Sequence, residues 1–290
     1  MTAHFERKAM KFRNLILGAV ISALCVTSVT ACSSADPRQQ AQTMIEKAPA
    51  SGGNAQDVTI QAGDMVAEFE VEGFGTIKAK LFPDIAPIGV QNFAELALSG
   101  YYSGKNIHRV IDGFMFQGGS ENGDGTGGDA AYTGTDSDGA ASFGIEISEN
   151  ARHYYGALCY ANAAGQNSTQ FYIVNSKKVD DPEDYRNAIS MVEEYRSAYE
   201  EGSDGYVYYT SLIERYNAVI DMLNNLSDRY KELGGTPSLD NDYTVFGQVV
   251  EGFDVIDSIS AVEVTTNSSG EASKPVKDII IKSVKVYTAE

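Results

Sequence analysis

Residues 65–81 constrain the fold of this chain most. Met65, Ala67, Phe69 and Val71 alternate with Glu68, Glu70 and Glu72, and Ile77, Ala79 and Leu81 alternate with Lys78 and Lys80. Successive side chains of a strand point to opposite faces, so each run makes one apolar and one charged face. Gly73-Phe74-Gly75 lies between them, and the whole reads as a β-hairpin. Strand signals return at 114–117, 158–161, 171–174 and 244–249, and residues 279–287 supply a closing strand. Pro87 opens a segment with Val90, Phe93, Ala94 and Ala97 at helical spacing, which Gly100 closes. Phe253, Ile256 and Ile259 mark a second short helix. Many short strands with two helices fit a mainly β fold, a closed antiparallel barrel capped by two helices.

Residues 176–237 break this pattern. Asp181-Pro182-Glu183-Asp184 is a helix start, with a capping side chain, proline in the first turn and acids at the positive end of the dipole. Tyr185, Ala188, Ile189, Val192, Tyr195 and Tyr199 form one stripe. After Gly202-Ser203-Asp204-Gly205 a second stripe runs from Tyr209 through Leu212, Tyr216 and Leu223 to Tyr230 and Leu233, and Gly234-Gly235 ends it. The spacing predicts an inserted α-helical hairpin, whose stripes either pack on each other or receive an external protein partner.

The N-terminus reads as a leader. Arg7, Lys8, Lys11 and Arg13 precede an apolar run over 15–29, which ends in Val29-Thr30-Ala31-Cys32. The run is shorter than a membrane-spanning helix needs, so residues 1–31 are read as a signal peptide with a lipobox-like cleavage site. Translation starts at Met1 or at the more compact basic start at Met10. By resemblance to bacterial lipoproteins, Cys32 becomes the lipidated first residue of the mature chain. That implies an extracytoplasmic protein, held to the outer face of a bacterial membrane by its lipid alone. Residues 32–57 are rich in Ala, Gln, Ser and Gly and are read as a flexible tether to a domain over 58–290.

Composition excludes several classes. With 40 acidic against 22 basic residues the chain carries a formal charge of −18, which argues against nucleic acid and against a polybasic membrane patch. Its three cysteines include Cys25 in the leader and Cys32 at the cleavage site, so Cys159 has no partner and is read as a small buried hydrophobe. With His4 outside the mature chain only His108 and His153 remain, too few for a His/Cys zinc site, and neither metal nor cofactor is expected.

The chemistry is concentrated in Ile107-His108-Arg109-Val110-Ile111-Asp112-Gly113-Phe114-Met115-Phe116-Gln117-Gly118-Gly119. One guanidinium stands a few residues from an apolar pair and an amide, which suits a pocket that grips a proline ring and polarises its peptide bond. The plainer reading is a strand with an ion-paired arginine. Further pieces follow in order: Gly123-Asp124-Gly125-Thr126-Gly127-Gly128, then Leu158-Cys159-Tyr160-Ala161-Asn162-Ala163, then Ser168-Thr169-Gln170-Phe171-Tyr172-Ile173, and Val245-Phe246-Gly247-Gln248-Val249. With these motifs the chain, from about Met65 to Tyr287, resembles a cyclophilin-type peptidyl-prolyl cis-trans isomerase with one large insertion.

The resemblance implies an eight-stranded closed barrel acting on proline-containing polypeptides. It implies that Arg109 is the catalytic side chain and that Gln117 supports it. Phe114, Met115, Tyr172 and Leu239 would line the proline pocket, with His108 and Tyr243 beside it. Ala161, Asn162 and Ala163 would meet the peptide before the proline, and Gln170, Gly125 and Thr126 would frame the adjoining groove. There are departures: Ile107 replaces the usual aromatic, Ser120 a common acid, Tyr172 the commonest phenylalanine and Tyr243 a frequent histidine. Ser238 stands where the family often has tryptophan, and the chain has no Trp. An aromatic of the tyrosine-rich stripe is expected to cover the wall left open there. Two functions stand: an extracytoplasmic isomerase assisting the folding of secreted or surface proteins, and a cyclophilin-shaped peptide-binding or scaffold module of low turnover that recruits a partner through its helices.

Overall fold

The computed structural model describes residues 36–52, 55–57, 59–134 and 142–290. The signal peptide, Cys32 and the start of the tether lie outside the described residues. The remainder of the tether differs from expectation, because α1 (Pro37–Lys47) is a helix. Asp36 caps it by accepting from the Arg38 N–H at 3.1 Å, and Pro37 takes the first turn. Ala41 is buried, and Met44, Ile45 and Ala48 pack on the main core. Positions 41, 44, 45 and 48 do have helical spacing, but four small or medium side chains among glutamines make a faint stripe.

Among the described residues eleven strands follow: β1 (Met65–Val71), β2 (Gly75–Leu81), β3 (Ile107–Ile111), β4 (Met115–Gly118), β5 (Phe143–Gly144), β6 (Ala157–Ala163), β7 (Gln166–Val174), β8 (Val245–Glu251), β9 (Val264–Thr266), β10 (Ala272–Pro275) and β11 (Ile281–Thr288). Nine make one curled antiparallel sheet in the order β11-β1-β2-β8-β6-β7-β4-β3, with β5 beside β7, and β9 and β10 form a separate hairpin. The pairing path is open rather than the closed ring expected. Its two ends are tied at one corner by the Asn106 to Ile280 bridge, and the Gly104 and Ile107 amides donate to the Ile281 and Ile279 carbonyls at 2.8 and 2.9 Å.

Strand parity sorts the apolar side chains into two cores. Phe69, Val110, Phe116, Phe171, Ile173, Leu158 and Phe246 face the inside of the curl, where α2 (Pro87–Leu98) adds Val90, Phe93 and Ala94 and α6 (Phe253–Ser260) adds Ile256 and Ile259. The alternate residues Met115, Tyr172, Val174, Cys159 and Val245 form a second cluster on the opposite face, under loops. α2 has no capping side chain of its own. Glu146, from a distant loop, supplies the cap by accepting from the Ile88 and Gly89 amides at 3.0 and 2.8 Å.

Between β7 and β8 come α3 (Pro182–Arg196), α4 (Asp204–Asn224) and α5 (Asp228–Leu233). Asp181 caps α3 through the Glu183 amide at 2.8 Å, and Ser203 caps α4 through the Tyr206 amide. The second stripe is broken rather than continuous to Leu233: the chain leaves the helix at Asn225 and restarts after Ser227. Asn-Asn followed by Ser-Asp offers a helix stop and a new N-cap where apolar spacing alone predicts continuity.

Candidate active site

Period-two alternation builds the site. Arg109 on β3 pairs across the ladder with Gln117 on β4, Gln117 with Tyr172 on β7, and Tyr172 with Cys159 on β6. Cross-strand partners stand about 5 Å apart on one face, so these positions form a row on the face away from the main core. Phe114, Leu239 and Tyr243 pack against the same cluster as Met115 and Tyr172, so the four residues expected to line the pocket come together with Tyr243 beside them. Ser238, beside Leu239, is exposed.

A chain of hydrogen bonds runs along the groove. Arg109 Nη1 lies 3.5 Å from Gln117 Oε1, Gln117 Nε2 donates to Gln170 Oε1 at 2.9 Å, and Gln170 Nε2 donates to the Gly125 carbonyl at 2.9 Å. The glycine-rich loop is held in turn by Ser120, which accepts from the Gly125 amide at 3.1 Å. The backbone at Gly119 runs with φ +85°, and a Cβ there would meet the Thr169 carbonyl at 2.7 Å, so this approach of loop to strand requires glycine. Thr126 spends its amide and hydroxyl on Asp124 within its own turn. β6 slips register between Tyr160 and Asn162, a bulge that takes Ala161 out of regular pairing, and Asn162 donates to the Asp242 carbonyl at 2.9 Å. Ala163 is exposed beyond it. His108 lies against the Gly125 loop rather than among the pocket rings; burial first, and then the neighbouring Arg109, hold its imidazole down at about 4.

The structure adds three residues that the sequence did not reveal. His153 Nε2 is 2.9 Å from the Tyr172 hydroxyl and its Nδ1 is 2.8 Å from Asp240, which also accepts from the Tyr230 hydroxyl at 2.7 Å. The hydroxyl that Tyr172 adds is thereby satisfied in a buried tier behind the pocket. A tyrosine in a strand otherwise suited to phenylalanine was a signal for a buried partner, but it could not say which of two histidines supplied it. Burial raises the Tyr172 phenol and the Cys159 thiol well above their ordinary values, so both stay protonated. The third residue, Glu271, lies before β10 and receives Arg109 Nε and Nη2, each at 2.7 Å. The plain reading of Arg109 as ion-paired thus holds together with its place beside the pocket. Among the described residues no group of His, Cys, Asp and Glu could hold a metal ion.

The expected cover for the wall beside Ser238 is not what the tyrosine stripe provides. Tyr185 packs on Tyr216, and Tyr195 and Tyr199 pack on Tyr209, so these rings meet among α3, α4 and the turn between them. Tyr230 of α5 reaches the site region, but behind it, with its ring 4.5 Å from that of Tyr154. The chain breaks at Asn225 before α5, and α4 packs both on α3 and on the turn over Pro237–Leu239.

The site is thus a mainly β sheet that sets a guanidinium and a glutamine on the same face as an apolar cluster around Met115 and Tyr172. A family model for the cyclophilin type peptidyl-prolyl cis-trans isomerase/CLD matches residues 66–286. A Staphylococcus haemolyticus chain assigned to the peptidyl-prolyl cis-trans isomerases is 37% identical over 215 residues, covering 73% of this chain and 86% of that one. A Staphylococcus aureus chain of the same assignment is 36% identical over 213 residues, covering 73% and 87%. A crystal structure of a Cryptosporidium parvum cyclophilin type peptidyl-prolyl cis-trans isomerase matches with a TM-score of 0.49 at 22% identity, over 78% of this chain and 99% of that one. The chain belongs to the cyclophilin-type peptidyl-prolyl cis-trans isomerases, and its reaction is rotation about the X-Pro bond.

Proposed function

We propose that Arg109 is the group that drives this rotation, with Phe114, Met115, Tyr172, Leu239 and Tyr243 holding the proline ring. The observation that carries the reading is the cross-strand row in which the guanidinium follows directly on the pocket residues. Rotation breaks amide resonance against a barrier of roughly 18 to 20 kcal/mol and moves no proton. A site therefore needs only to bind the twisted amide better than the planar one. Glu271 occupies the Nε and Nη2 edge of Arg109, so the donors of Nη1 remain on the side of Met115 and Gln117. There they can bond the carbonyl oxygen, or the prolyl nitrogen as it becomes basic, and they stay charged at every relevant pH. Gln117, fixed by Gln170, supports the same atoms. Ala161, Asn162 and Ala163 receive the peptide before the proline, and Gly125, Thr126 and His108 border the groove. In a protease-coupled isomerisation assay, Arg109→Ala is expected to lose at least tenfold in kcat/KM, or about 1.4 kcal/mol, with its unfolding transition retained. Near wild-type turnover in that variant overturns the assignment.

The same reading takes the curled sheet as an eight-stranded barrel closed at the Asn106 corner, with residues 176–237 as an inserted helical segment. It takes the protein as a lipoprotein anchored at Cys32 outside the cytoplasm, where proline-containing secreted or surface chains are its clients. The basic, apolar and Val29-Thr30-Ala31 elements directly before Cys32 support this. Mass spectrometry of the native protein is expected to find an acylated N-terminal Cys32; an unmodified peptide spanning Ala31 and Cys32 refutes it.

A further inference from the structure

Arg109 is the catalytic candidate, yet its strongest bonds go to a residue outside the groove motifs. Glu271 sits at the end of the turn joining β9 to β10, and both oxygens engage the guanidinium in a two-point pair. The turn is itself held. Asn267 Oδ1 accepts from the Ser269 and Glu271 amides at 3.0 Å each, and Asn267 Nδ2 donates to Ser273 at 3.1 Å. The carboxylate is therefore presented on a fixed support. Arg109 carries four side-chain torsions and is part-exposed, and beside it lies a polar cavity of about 430 Å³ that Asp124 and Asp278 also line. A guanidinium released from Glu271 would have two other carboxylates to turn toward, away from the proline pocket. The Glu271 pair uses one edge and leaves Nη1 at 3.9 Å from Met115 Sδ, on the pocket floor.

We propose that Glu271 is a positioning residue for isomerisation, clamping Arg109 by its Nε and Nη2 edge so that Nη1 stays aimed at the proline pocket. This rests on the reading of Arg109 as the catalytic group. The pair is made through the Nε and Nη2 edge while Nη1 faces Met115 and Gln117, so it persists when substrate binds and need not be broken. The arrangement fixes in advance a side chain that otherwise loses rotamer freedom at each turnover.

The test uses the full chain as Glu271→Ala, Glu271→Gln, Arg109→Ala and the double variant. Steady-state and exchange measurements on one proline peptide separate kcat from KM, and Nε–H NMR signals follow Arg109. Glu271→Ala is expected to lose five- to tenfold in kcat with KM within twofold and the Arg109 Nε–H signal broadened. Glu271→Gln, which keeps one acceptor, is expected within threefold of wild type. The double variant is expected to equal Arg109→Ala alone, because Glu271 acts through that side chain. Turnover at or above wild type in Glu271→Ala overturns the proposal and makes the pair a restraint on Arg109. A further loss in the double variant also overturns it, since that marks a structural role. A near-normal Arg109→Ala fails the underlying assignment instead, and is told apart by that arm alone.

Discussion

At the scale of the residue, His108 and Glu271 set how the site responds to acid. Burial, and then Arg109, hold the folded-state His108 at about 4, below its ordinary 6.5. Above pH 6.5 the imidazole is neutral in both folded and unfolded chains and costs nothing. Between 6.5 and about 4 the unfolded chain takes up a proton that the folded chain refuses, so stability falls as pH falls, by on the order of 2 kcal/mol after discounting partial exposure. Glu271, held at about 2 by its hydrogen bonds to Arg109, extends the same trend: its contribution is complete above 4.5 and is lost as pH falls through about 2. Denaturant midpoints measured from pH 8 to 3 are expected to decline from pH 6.5 downward. His108→Gln is expected to flatten the segment between 6.5 and 4; an unchanged slope there assigns the loss to another group. Tyr172 makes a different point about single residues. Its hydroxyl is buried at no net cost because His153 and Asp240 wait behind it.

At the scale of the element, the helices between β7 and β8 divide into two parts with different ties. α3 and α4 meet through their own tyrosines, with α4 also touching the turn over Pro237–Leu239, whereas α5 is tied by Tyr230 to Tyr154 and Asp240. Tyr230 donates to the half-buried Asp240, and the Thr236 amide donates to the His153 carbonyl at 2.8 Å. Gly235, at φ +131°, bridges Tyr154, and a Cβ there would collide with the His153 carbonyl. Replacing residues 181–226 by a short Gly/Ser linker is expected to leave fold and turnover within twofold, because loop closure itself costs little. Extending the cut to 235 removes Tyr230 and is expected to cost about 1 to 3 kcal/mol by leaving Asp240 short of a donor. Thermal unfolding of both variants checks the contrast, and equal melting temperatures would show that α5 is as dispensable as α3 and α4. The hairpin of β9 and β10 was not legible in sequence. Val264-Thr265-Thr266 and Ala272 to Pro275 are too short and too mixed to show alternation, and their order comes from the Asn267 turn and from packing beside β3.

At the scale of the whole molecule, the two ends of the domain meet. β1 pairs with β11 from Met65 with Thr288 to Val71 with Ile281, so the first and last strands of the sheet hold each other. Truncation at Asp278 removes β11, and with it Ile281, Val284 and Val286 of the core, and uncovers the edge of β1. That variant is expected to lose its cooperative unfolding transition and to aggregate through the bared edge, and a sharp transition in it would show that the remaining strands suffice. The sequence by itself determined most strands of the large sheet and the two helices that pack on it, because period-two and period-3.6 spacing and the capping residues are local properties. It determined the family as well, since several motifs agree in order along the chain. Only the tertiary structure decided which distant carboxylate meets Arg109, which histidine satisfies Tyr172, where the ends of the sheet join and which face of the helical segment is anchored. Those pairings join residues far apart in the chain, 162 positions for Arg109 and Glu271, and they depend on the curvature of the sheet rather than on any local spacing.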